Sequence, residues 1–357
     1  MKLQRVQVPD FRVLKNVDIS FEKDFVPNIF PLGSQNGGGK STLLQLIFVL
    51  LHCSGDSDKH EFIKNMLHGF EIDDDSQKRV LARFDIWDGE KTVNLEFVVY
   101  KDSYARRFLH QNNKPLITIS ETVFCRIDKM DIDKAKDFLN NLSSNIFLAA
   151  PATQVFLFLN KDSRDFLFKH QNNDYSNNYY SQLKQSQYKL SVFFTYDFLA
   201  VDLLIDIFQA ARDKDFKQAI ETGEYGNNYQ KLVNDLNQVL LNKKININPD
   251  LSGFTFKLDA EGNDIELYPE DLSHGELKRL SIYAWIKYNI IEDSIVLIDE
   301  IENGLHPDWQ YQIIKDIAEW APKNQYIIAT HSYELCQAVT PAHVKELEPR
   351  LIKQESE

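Results

Sequence analysis

The alternation of hydrophobic and polar positions predicts several antiparallel strands. Apolar residues recur at every second position over residues 80–86 and 93–99, and Asp88-Gly89 between them is a turn signal, so these segments predict a β-hairpin. Residues 3–21 predict a strand, a turn and a second strand, and residues 254–267 predict another hairpin. We therefore expect an antiparallel β subdomain as part of the fold.

Other segments are apolar at consecutive positions and predict elements that are buried on all sides. Residues 43–50 predict a buried helix, whereas residues 295–298 and 325–330 predict strands of a parallel sheet that is covered on both faces. Apolar positions at helical spacing over residues 277–288 predict an amphipathic helix. The combination predicts the α/β class, with a mostly parallel sheet flanked by helices.

The composition changes after residue 159. Residues 171–188 are rich in Asn, Gln, Ser and Tyr and predict a long exposed loop, whereas residues 192–220 and 228–242 predict helices. Tyrosines in this loop can stack on bases, but the few interleaved basic residues favour a polar surface loop over a nucleic-acid site. These tyrosines are Tyr175, Tyr179, Tyr180 and Tyr188. We divide the chain into an N-terminal core part, a largely helical insertion and a C-terminal core part, at residues 1–158, 159–244 and 245–357.

Composition bounds the class of protein. The chain has 357 residues, enough to bury a large core, and no apolar stretch approaches the roughly 20 residues that span a bilayer. The N-terminus lacks the apolar segment of a signal peptide, and the three cysteines have no metal-binding spacing, so we expect a cytoplasmic protein with no membrane partner. The net charge of −13 disfavours nucleic-acid binding over the whole surface and leaves a local basic groove open.

Residues 33–42, Gly-Ser-Gln-Asn-Gly-Gly-Gly-Lys-Ser-Thr, form a glycine-rich segment before the predicted buried helix. Glycines allow backbone amides to close around a phosphate chain, and the helix N-terminus favours the same anion. Lys40 would reach the terminal phosphates and the Ser41 hydroxyl would bind Mg²⁺. Ser34 stands where the motif has its first glycine, and Pro31 lies in the incoming strand, where proline is disfavoured. The predicted phosphate-binding residues are Asn36, Gly37, Gly38, Gly39, Lys40, Ser41 and Thr42.

Two polar clusters follow the predicted parallel strands. Asp299 and Glu300 stand at the carboxyl end of one strand, where parallel sheets bind ligands and where two adjacent carboxylates favour a cation. We predict that Asp299 holds Mg²⁺, mainly through water, and that Glu300 polarises the attacking water as a general base. His331 follows the next strand and can contact a γ-phosphate. Taken singly, an acidic turn and a structural histidine are the alternatives.

A third cluster opens the amphipathic helix. Ser273 is followed three residues later by Glu276, and this capping box explains both residues structurally. Capping does not require a glycine at position 275. We therefore expect Gly275 to permit the close approach of a group from outside, where the helix N-terminus favours an anion.

In this order the motifs resemble the Walker A, signature, Walker B, D-loop and His-switch of an ABC-type ATPase, with residues 302–307 as the D-loop. The sequence Asp-Glu-x-Glu-Asn-Gly-Leu-His-Pro, which begins at Asp299, is similar to the branch that contains SMC-like, OLD-family and bacterial anti-phage defence ATPases, including the ATPase subunit of Septu-type systems. The resemblance covers about residues 1–158 and 245–345. It implies the P-loop ATPase core, with the antiparallel β subdomain and the helical insertion attached to it.

The resemblance also implies ATP and Mg²⁺ as cofactors. It assigns Gln154 as the Q-loop residue on Mg²⁺ or the attacking water, and it places Phe11 near the adenine. Two positions depart from the family pattern, since His274 replaces the commoner second glycine of the signature and Glu276 replaces glutamine.

In this family ATP lies between two subunits, so that the phosphate loop of one faces Ser273 and Gly275 of the other. The resemblance therefore implies a homodimer or a higher even-numbered oligomer. It also implies a separate effector protein such as a nuclease, because only 26 residues follow His331, too few for the Toprim nuclease domain of the OLD family. Nucleic acid is a further candidate ligand.

The resulting hypothesis is an ATPase subunit that dimerises around ATP and switches a nucleic-acid-directed partner, in phage defence or DNA maintenance. Two alternatives stay open at this stage. One is the ATPase motor of a membrane transporter, which the large insertion and the D-loop sequence disfavour. The other is a slowly hydrolysing, nucleotide-bound scaffold that restrains an effector.

Overall fold

The computed structural model describes residues 1–102, 104–105, 116–168, 179–197, 200–240, 242–248, 250, 253–260, 263–288 and 291–347. The chain forms two compact units. The first unit comprises Met1–Phe194, Glu292–Glu302 and Pro322–Glu357, and the second unit comprises Thr195–Ile291 and Asn303–Ala321. In the described part of the chain, the first unit contains two sheets and the second unit contains one.

The strands are β1 (Lys2–Phe11), β2 (Leu14–Ser20), β3 (Ile29–Gly33), β4 (Lys78–Trp87), β5 (Thr92–Tyr100), β6 (Leu116–Thr118), β7 (Val123–Ile127), β8 (Ile146–Ala150), β9 (Phe193–Thr195), β10 (Lys243–Ile247), β11 (Phe254–Ala260), β12 (Asn263–Leu267), β13 (Ile295–Asp299), β14 (Gln325–Thr330) and β15 (Lys345–Glu346). The helices are α1 (Lys40–Cys53), α2 (His60–Met66), α3 (Ile132–Ser143), α4 (Lys161–Asp165), α5 (Tyr179–Lys189), α6 (Ala200–Thr222), α7 (Asn228–Val239), α8 (His274–Tyr288), α9 (Pro307–Trp320) and α10 (Tyr333–Gln337). Short 3₁₀ turns lie at Ser57–Lys59 and Pro269–Asp271.

A sheet in the order β15-β3-β14-β13-β8-β9 forms the centre of the first unit. Strands β3, β14, β13 and β8 are mutually parallel, and every residue of β8, β13 and β14 is buried. Helix α1 packs on this sheet, and its residues from Leu43 to Cys53 are buried. The α/β class with a buried parallel sheet is therefore confirmed. Because the strands are parallel, the segments that follow β3, β13 and β14 lie at the same edge of the sheet.

Pro31 lies inside β3 and pairs with Ile328 of β14. The pairing of β3 with β15 on its other side is confined to Leu32 and Gly33. Proline removes one backbone donor and is tolerated where a strand has an unpaired side. The chain therefore accommodates the proline of its phosphate-loop strand at a position where only one neighbour is paired.

A second sheet in the first unit is antiparallel, in the order β2-β1-β4-β5-β7-β6. The hairpin between β4 and β5 turns at Asp88-Gly89 as predicted, with φ +113° at Gly89, and the Asp88 carboxylate accepts the Glu90 and Lys91 amides at 2.8 Å. A register shift between Val80 and Ala82 interrupts the predicted alternation in β4. This sheet is the antiparallel β subdomain that the period-two segments predict.

The second unit is built from α6 to α9 and the antiparallel sheet β10-β11-β12. Its core joins side chains of α6 and α7 with Phe256 of β11 and with Leu280 and Ala284 of α8. The unit therefore starts later than the predicted insertion at 159–244 and continues past it, because α6 and α7 share one core with the helix that follows the signature. Strand β10 was not predicted.

The polar segment 171–188 is a helix in its second part, where the sequence predicted a loop. Helix α5 buries Tyr179, Leu183 and Ser186, which recur at helical spacing on one face. The Tyr179 hydroxyl donates to the Gln154 carbonyl at 2.7 Å, so this tyrosine is not available to stack on a base. Tyr180 and Tyr188 are exposed, and Tyr175 lies outside the described residues. Within the described ranges, no helix is both long and apolar enough to cross a membrane.

Candidate nucleotide-binding site

The phosphate loop connects β3 to α1 in the first unit. Gly37 and Gly39 have φ of +79° and +88°, a region that side chains with a Cβ rarely adopt. Gly39 is the N-cap of α1, and no side chain caps this 14-residue helix. The first-turn amides of α1 are therefore available to an anion, which the helix N-terminus favours. Asn36 is exposed at the turn, and Ser41 and Thr42 are half-buried in the first turn of α1.

Ser34 explains how the loop tolerates the departure from the motif. A Cβ at Gly38 would lie 2.3 Å from the Ser34 hydroxyl oxygen, so the glycine at 38 makes room for the serine. The Lys40 ammonium donates to the Ser34 carbonyl and hydroxyl oxygens, both at 3.1 Å. Ser34 is thus a lysine contact within the loop, a role that the sequence did not suggest.

Asp299 and Ser41 meet at the carboxyl end of β13. The Ser41 hydroxyl donates to Asp299 Oδ1 at 3.0 Å, and Asp299 is only 2% exposed. Burial raises the pKa of Asp299 to about 7; the Ser41 hydrogen bond opposes this shift, and the nearby carboxylates of Glu300 and Glu302 add to it. Burial also lowers the pKa of Lys40, against the attraction of the same carboxylates. Both pKa shifts disfavour the charged form of the side chain, because Asp299 and Lys40 are buried away from water.

The donor set of this site fits Mg²⁺ held jointly with a nucleotide. Mg²⁺ prefers oxygen ligands and is commonly bound by one or two carboxylates together with substrate phosphates. Ser41 and Asp299 supply a hydroxyl and a carboxylate oxygen that already lie within hydrogen-bond distance. Within the described ranges, no group of three or more His, Cys, Asp or Glu side chains is arranged to hold a metal. Ser41 and Asp299 would hold the ion together with phosphate oxygens of the nucleotide.

Glu300 has an unusual backbone for a residue with a long side chain. Its φ is +50°, and its amide donates to the Ala329 carbonyl at 2.9 Å, which fixes the turn after β13 to β14. A left-handed conformation costs roughly 1–2 kcal/mol for a residue other than glycine. Such conformations cluster at functional sites, where surrounding contacts enforce them. The half-buried Glu300 is therefore held directly after Asp299 in an enforced conformation.

His331 lies next to the phosphate-loop lysine. Its Nδ1 is 3.3 Å from Lys40 Nζ, and its side chain is exposed on the described chain. The His331 amide donates to Glu302 Oε1 at 2.6 Å, and Glu302 is 7% exposed. The structure thus brings together Lys40, Ser41, Asp299 and His331, which the sequence predicted, and adds Glu302, which the sequence suggested only as part of the D-loop.

Gln154 lies in the turn that follows β8. Its amide donates to the Pro151 carbonyl at 3.1 Å, and its carbonyl accepts from Tyr179. Both of these contacts are made by its backbone. Its role on Mg²⁺ or water is therefore still only an expectation.

Phe11 does not have the position that the family resemblance implied. Its side chain has no exposed surface, and its ring packs 6.0 Å from that of Phe70, so it cannot stack on an adenine in this conformation. The following turn contacts the phosphate loop instead. A Cβ at Gly39 would lie 2.7 Å from Leu14 and 2.8 Å from Val13, and Val13 is 57% exposed. The apolar surface beside the loop is therefore provided by Val13, which no sequence motif marked.

The signature segment lies in the second unit. Ser273 and Glu276 form the predicted capping box: the Ser273 hydroxyl accepts the Glu276 amide at 3.2 Å, and Glu276 accepts the Ser273 amide at 3.1 Å. Gly275 is buried, and a Cβ there would lie 3.0 Å from the Gly304 carbonyl and 3.2 Å from Trp309. The prediction that Gly275 admits a group from outside was wrong in this respect, because the D-loop of the same unit fills that space. Ser273 and His274 are exposed.

The chain matches a known protein family over most of its length. The sequence profile of a family described as "AAA domain, putative AbiEii toxin, Type IV TA system" matches residues 35–337. The matched range runs from the phosphate loop to beyond His331 and covers most of the chain.

Two curated relatives are probable ATPases of retrons. The chain is 32% identical to the retron Vc95 probable ATPase of Vibrio cholerae serotype O1 biovar El Tor over 124 residues, which are 32% of this chain and 22% of the relative. It is 32% identical to the retron Ec83 probable ATPase of Escherichia coli over 98 residues, which are 24% of this chain and 18% of the relative. The matched part therefore spans about a fifth of the length of these relatives.

Among solved structures, the chain is similar to an Smc head bound to the C-winged helix domain of ScpA. The TM-score is 0.51 at 12% identity, with 95% of this chain and 92% of that chain covered. At this identity the likeness establishes the fold, and the SMC-like, ABC-type P-loop ATPase fold predicted from the motifs is confirmed. The comparisons do not single out Septu-type systems.

Proposed function

Because the chain belongs to this AAA-domain family and has the fold of an SMC-like ATPase, we propose that it binds Mg²⁺-ATP between two copies of itself and uses hydrolysis to switch a separate effector. The observation that carries the proposal is the group of Lys40, Ser41, Asp299 and His331 at one edge of the parallel sheet. It combines an open helix N-terminus with a lysine, a hydroxyl and a buried carboxylate.

Each side chain has a defined part in this proposal. The amides of the phosphate loop and Lys40 bind the phosphates, and Ser41 and Asp299 hold Mg²⁺, which neutralises charge on the phosphate oxygens when it is bound. Glu300, directly after Asp299, accepts a proton from the attacking water. His331 faces the terminal phosphate beside Lys40. Its Nδ1 lies 3.3 Å from Lys40 Nζ. Gln154 completes the proposal as a contact to the water or the ion.

The nucleotide site is completed by Ser273 of a second copy. Ser273 is exposed at the N-terminus of the 15-residue helix α8, where an anion is favoured. Gly275 acts indirectly, because it lets the D-loop approach α8 closely. A chain with one phosphate loop and one signature segment then forms two equivalent sites as a twofold dimer.

The proposed biological role is antiviral defence. Two relatives at 32% identity carry the names of retron ATPases, although the matched part is about a fifth of each. We propose that closing and reopening of the dimer acts on a partner protein, with nucleic acid as the signal or the target. The second unit, with its helical pair α6 and α7, is the proposed region of contact with that partner.

Complementation between two inactive variants tests the shared site. Lys40→Ala removes the phosphate contact, and Ser273→Arg blocks the signature, so each variant alone should hydrolyse ATP far more slowly than the unsubstituted chain. A mixed dimer contains one intact site, so an equimolar mixture that reassorts freely should recover about a quarter of the unsubstituted activity. Phosphate release is measured in single and mixed samples, with light scattering to follow the mass.

Two outcomes would contradict the proposal. A mixture no more active than its components, in samples whose light scattering shows a dimer, would mean that Ser273 does not act on the partner's nucleotide. Full activity of Ser273→Arg alone would mean that one copy suffices. Phage challenge with the unsubstituted chain and with Glu300→Gln then tests the biological role, since loss of protection is expected only if hydrolysis drives the switch.

A further inference from the structure

Glu302 is a buried carboxylate that the proposed hydrolysis does not yet use. It lies three residues after Asp299, on the turn that follows β13, and it is 7% exposed. Burying a carboxylate is costly unless strong hydrogen bonds compensate. Here Glu302 Oε1 accepts the His331 amide at 2.6 Å, and this hydrogen bond compensates part of the cost of burial. The contact joins the turn after β13 to the segment after β14.

The joined segments both carry site residues. The turn after β13 holds Asp299 and Glu300, and the segment after β14 holds His331, whose Nδ1 lies 3.3 Å from Lys40 Nζ. The hydrogen bond from the His331 backbone amide to Glu302 fixes the position from which the His331 side chain leaves the backbone. A displacement of about 1 Å in a reacting group can lower a rate on the order of 100-fold.

The neighbouring backbone shows why this carboxylate is needed. The Ala329 carbonyl, near the end of β14, accepts the Glu300 amide at 2.9 Å, and Ser332 caps α10 by accepting the Leu335 amide at 2.9 Å. Between these two anchors His331 is exposed, and its amide is held by Glu302. The side chain of Glu302 therefore anchors the one residue that links the strand to the capped helix.

We propose that Glu302 is a positioning residue that acts through His331: it accepts the His331 amide and so holds the imidazole against Lys40 and the terminal phosphate. This inference rests on the proposed function for its catalytic consequence. The hydrogen bond between the His331 amide and Glu302 can be measured without any nucleotide. A direct role of Glu302 on the substrate would be different, because it would not depend on His331.

A double-mutant cycle of Glu302→Ala and His331→Ala tests the dependence. Each single variant should lower kcat on the order of 10-fold to 100-fold with little change in KM for ATP. The double variant should be no slower than the slower single variant, because residues that act as one unit are non-additive. Glu302→Gln keeps an oxygen acceptor for the amide and should recover most of the lost rate. Additive losses, or a glutamine variant as slow as the alanine variant, would overturn the proposal.

A spectroscopic readout separates this inference from the proposed function. In chains labelled with ¹⁵N-histidine, the His331 amide resonance is assigned by its absence from His331→Ala. It should move in Glu302→Ala and move less in Glu302→Gln; an unchanged resonance would overturn the positioning role. If the resonance moves but the unsubstituted chain hydrolyses no ATP, the proposed hydrolysis is wrong, whereas the positioning of His331 by Glu302 is supported.

Asp215 offers a matched control in the second unit. It is 7% exposed and accepts the Asn228 and Tyr229 amides at 2.8 and 2.9 Å. Asp215→Ala should lower stability without moving the His331 amide, and a movement there would count against a local effect of Glu302. If Glu302→Ala does not fold, Glu302→Asp replaces it, because the side chain shortened by one methylene should also move the amide and lower kcat. An aspartate variant with the original amide position and rate would overturn the proposal.

Discussion

The two units of the chain differ in how their buried charged side chains are paired. In the first unit Lys40 and Asp299 are 5% and 2% exposed; Lys40 contacts Ser34 and His331 rather than a carboxylate, and the pKa of Asp299 rises to about 7, chiefly through burial. In the second unit Arg279 pairs with Asp316 at 2.7 Å, and Lys278 donates to the Asn303 carbonyl at 2.9 Å.

The contrast separates charge that serves a ligand from charge that serves the fold. Arg279 and Asp316 are partners within the second unit, so their interaction already stabilises the folded chain without a ligand. Charged groups around the phosphate loop are held close to one another at a cost, and a bound cation and phosphate would offset that cost. The comparison can be tested by removing charge from one unit at a time.

The largest expected effect is on hydrolysis. Glu300→Gln should lower the rate of ATP cleavage about 10²-fold to 10⁴-fold, the usual contribution of a general base, and should leave nucleotide affinity within a few fold. Single-turnover phosphate release gives the rate, and titration with a fluorescent ATP analogue gives the affinity. Equal losses of rate and affinity would instead indicate a damaged binding site.

The next effect is on stability, and it contrasts the two units directly. Arg279→Met leaves Asp316, which is 6% exposed, without its cation and should lower the free energy of unfolding by about 3 kcal/mol. Lys40→Met removes a buried cation that donates its hydrogen bonds to Ser34 rather than to a carboxylate, and it should change the free energy of unfolding of the nucleotide-free chain by less than about 1 kcal/mol. Urea denaturation of both variants without nucleotide measures the difference. Equal losses would show that both units use charge in the same way.

The third effect depends on pH. The pKa of Asp299 is raised in the folded chain from the ordinary 3.8 to about 7, so the folded state binds more protons than the unfolded state between these values. The contribution of Asp299 to stability is therefore fully present below pH 4 and is lost as the pH rises towards 7. Asp299→Asn should remove that loss. Relative to the unsubstituted chain, the variant should gain on the order of 1.4 kcal/mol for each pH unit between about pH 5 and about pH 7, and nothing further above about pH 7.

Denaturation at the two pH values, without nucleotide, measures this gain. Asp316→Asn serves as the control in the second unit, since that carboxylate is held by Arg279. A gain of the same sign and size in the control would contradict a specific cost of charge at the phosphate loop.

The sequence predicted the first unit better than the second, and the reason is physical. The phosphate loop, the Asp299 cluster and His331 belong to short motifs that parallel strands bring to one edge, so their proximity follows from topology. The position of Phe11 did not follow from topology. Phe11 ends a strand with its ring buried, and whether a strand-end residue points inwards depends on register rather than on a motif.

The second unit carries weaker local signals. Its core combines α6, α7 and β11 with α8, which are distant along the chain. The compact unit begins at Thr195, whereas the change in composition lies at residue 159. Helix α5 was missed because polar residues outnumber the buried positions Tyr179, Leu183 and Ser186. Gly275 was attributed to an outside ligand because the sequence did not show that Gly304 packs against it.

The smallest expected effect compares a glycine from each unit. At Gly275 a Cβ would lie 3.0 Å from the Gly304 carbonyl, so Gly275→Ala should force a backbone shift and cost about 1–3 kcal/mol of stability. At Gly37 no heavy atom lies within 4 Å of a Cβ, and Gly37→Ala should cost only the roughly 1–2 kcal/mol of a left-handed residue. The first substitution changes packing in the second unit, whereas the second lies where phosphate is expected to bind. We therefore expect Gly37→Ala to lose more nucleotide affinity and Gly275→Ala to lose more stability, and the reverse order would contradict the division between the units.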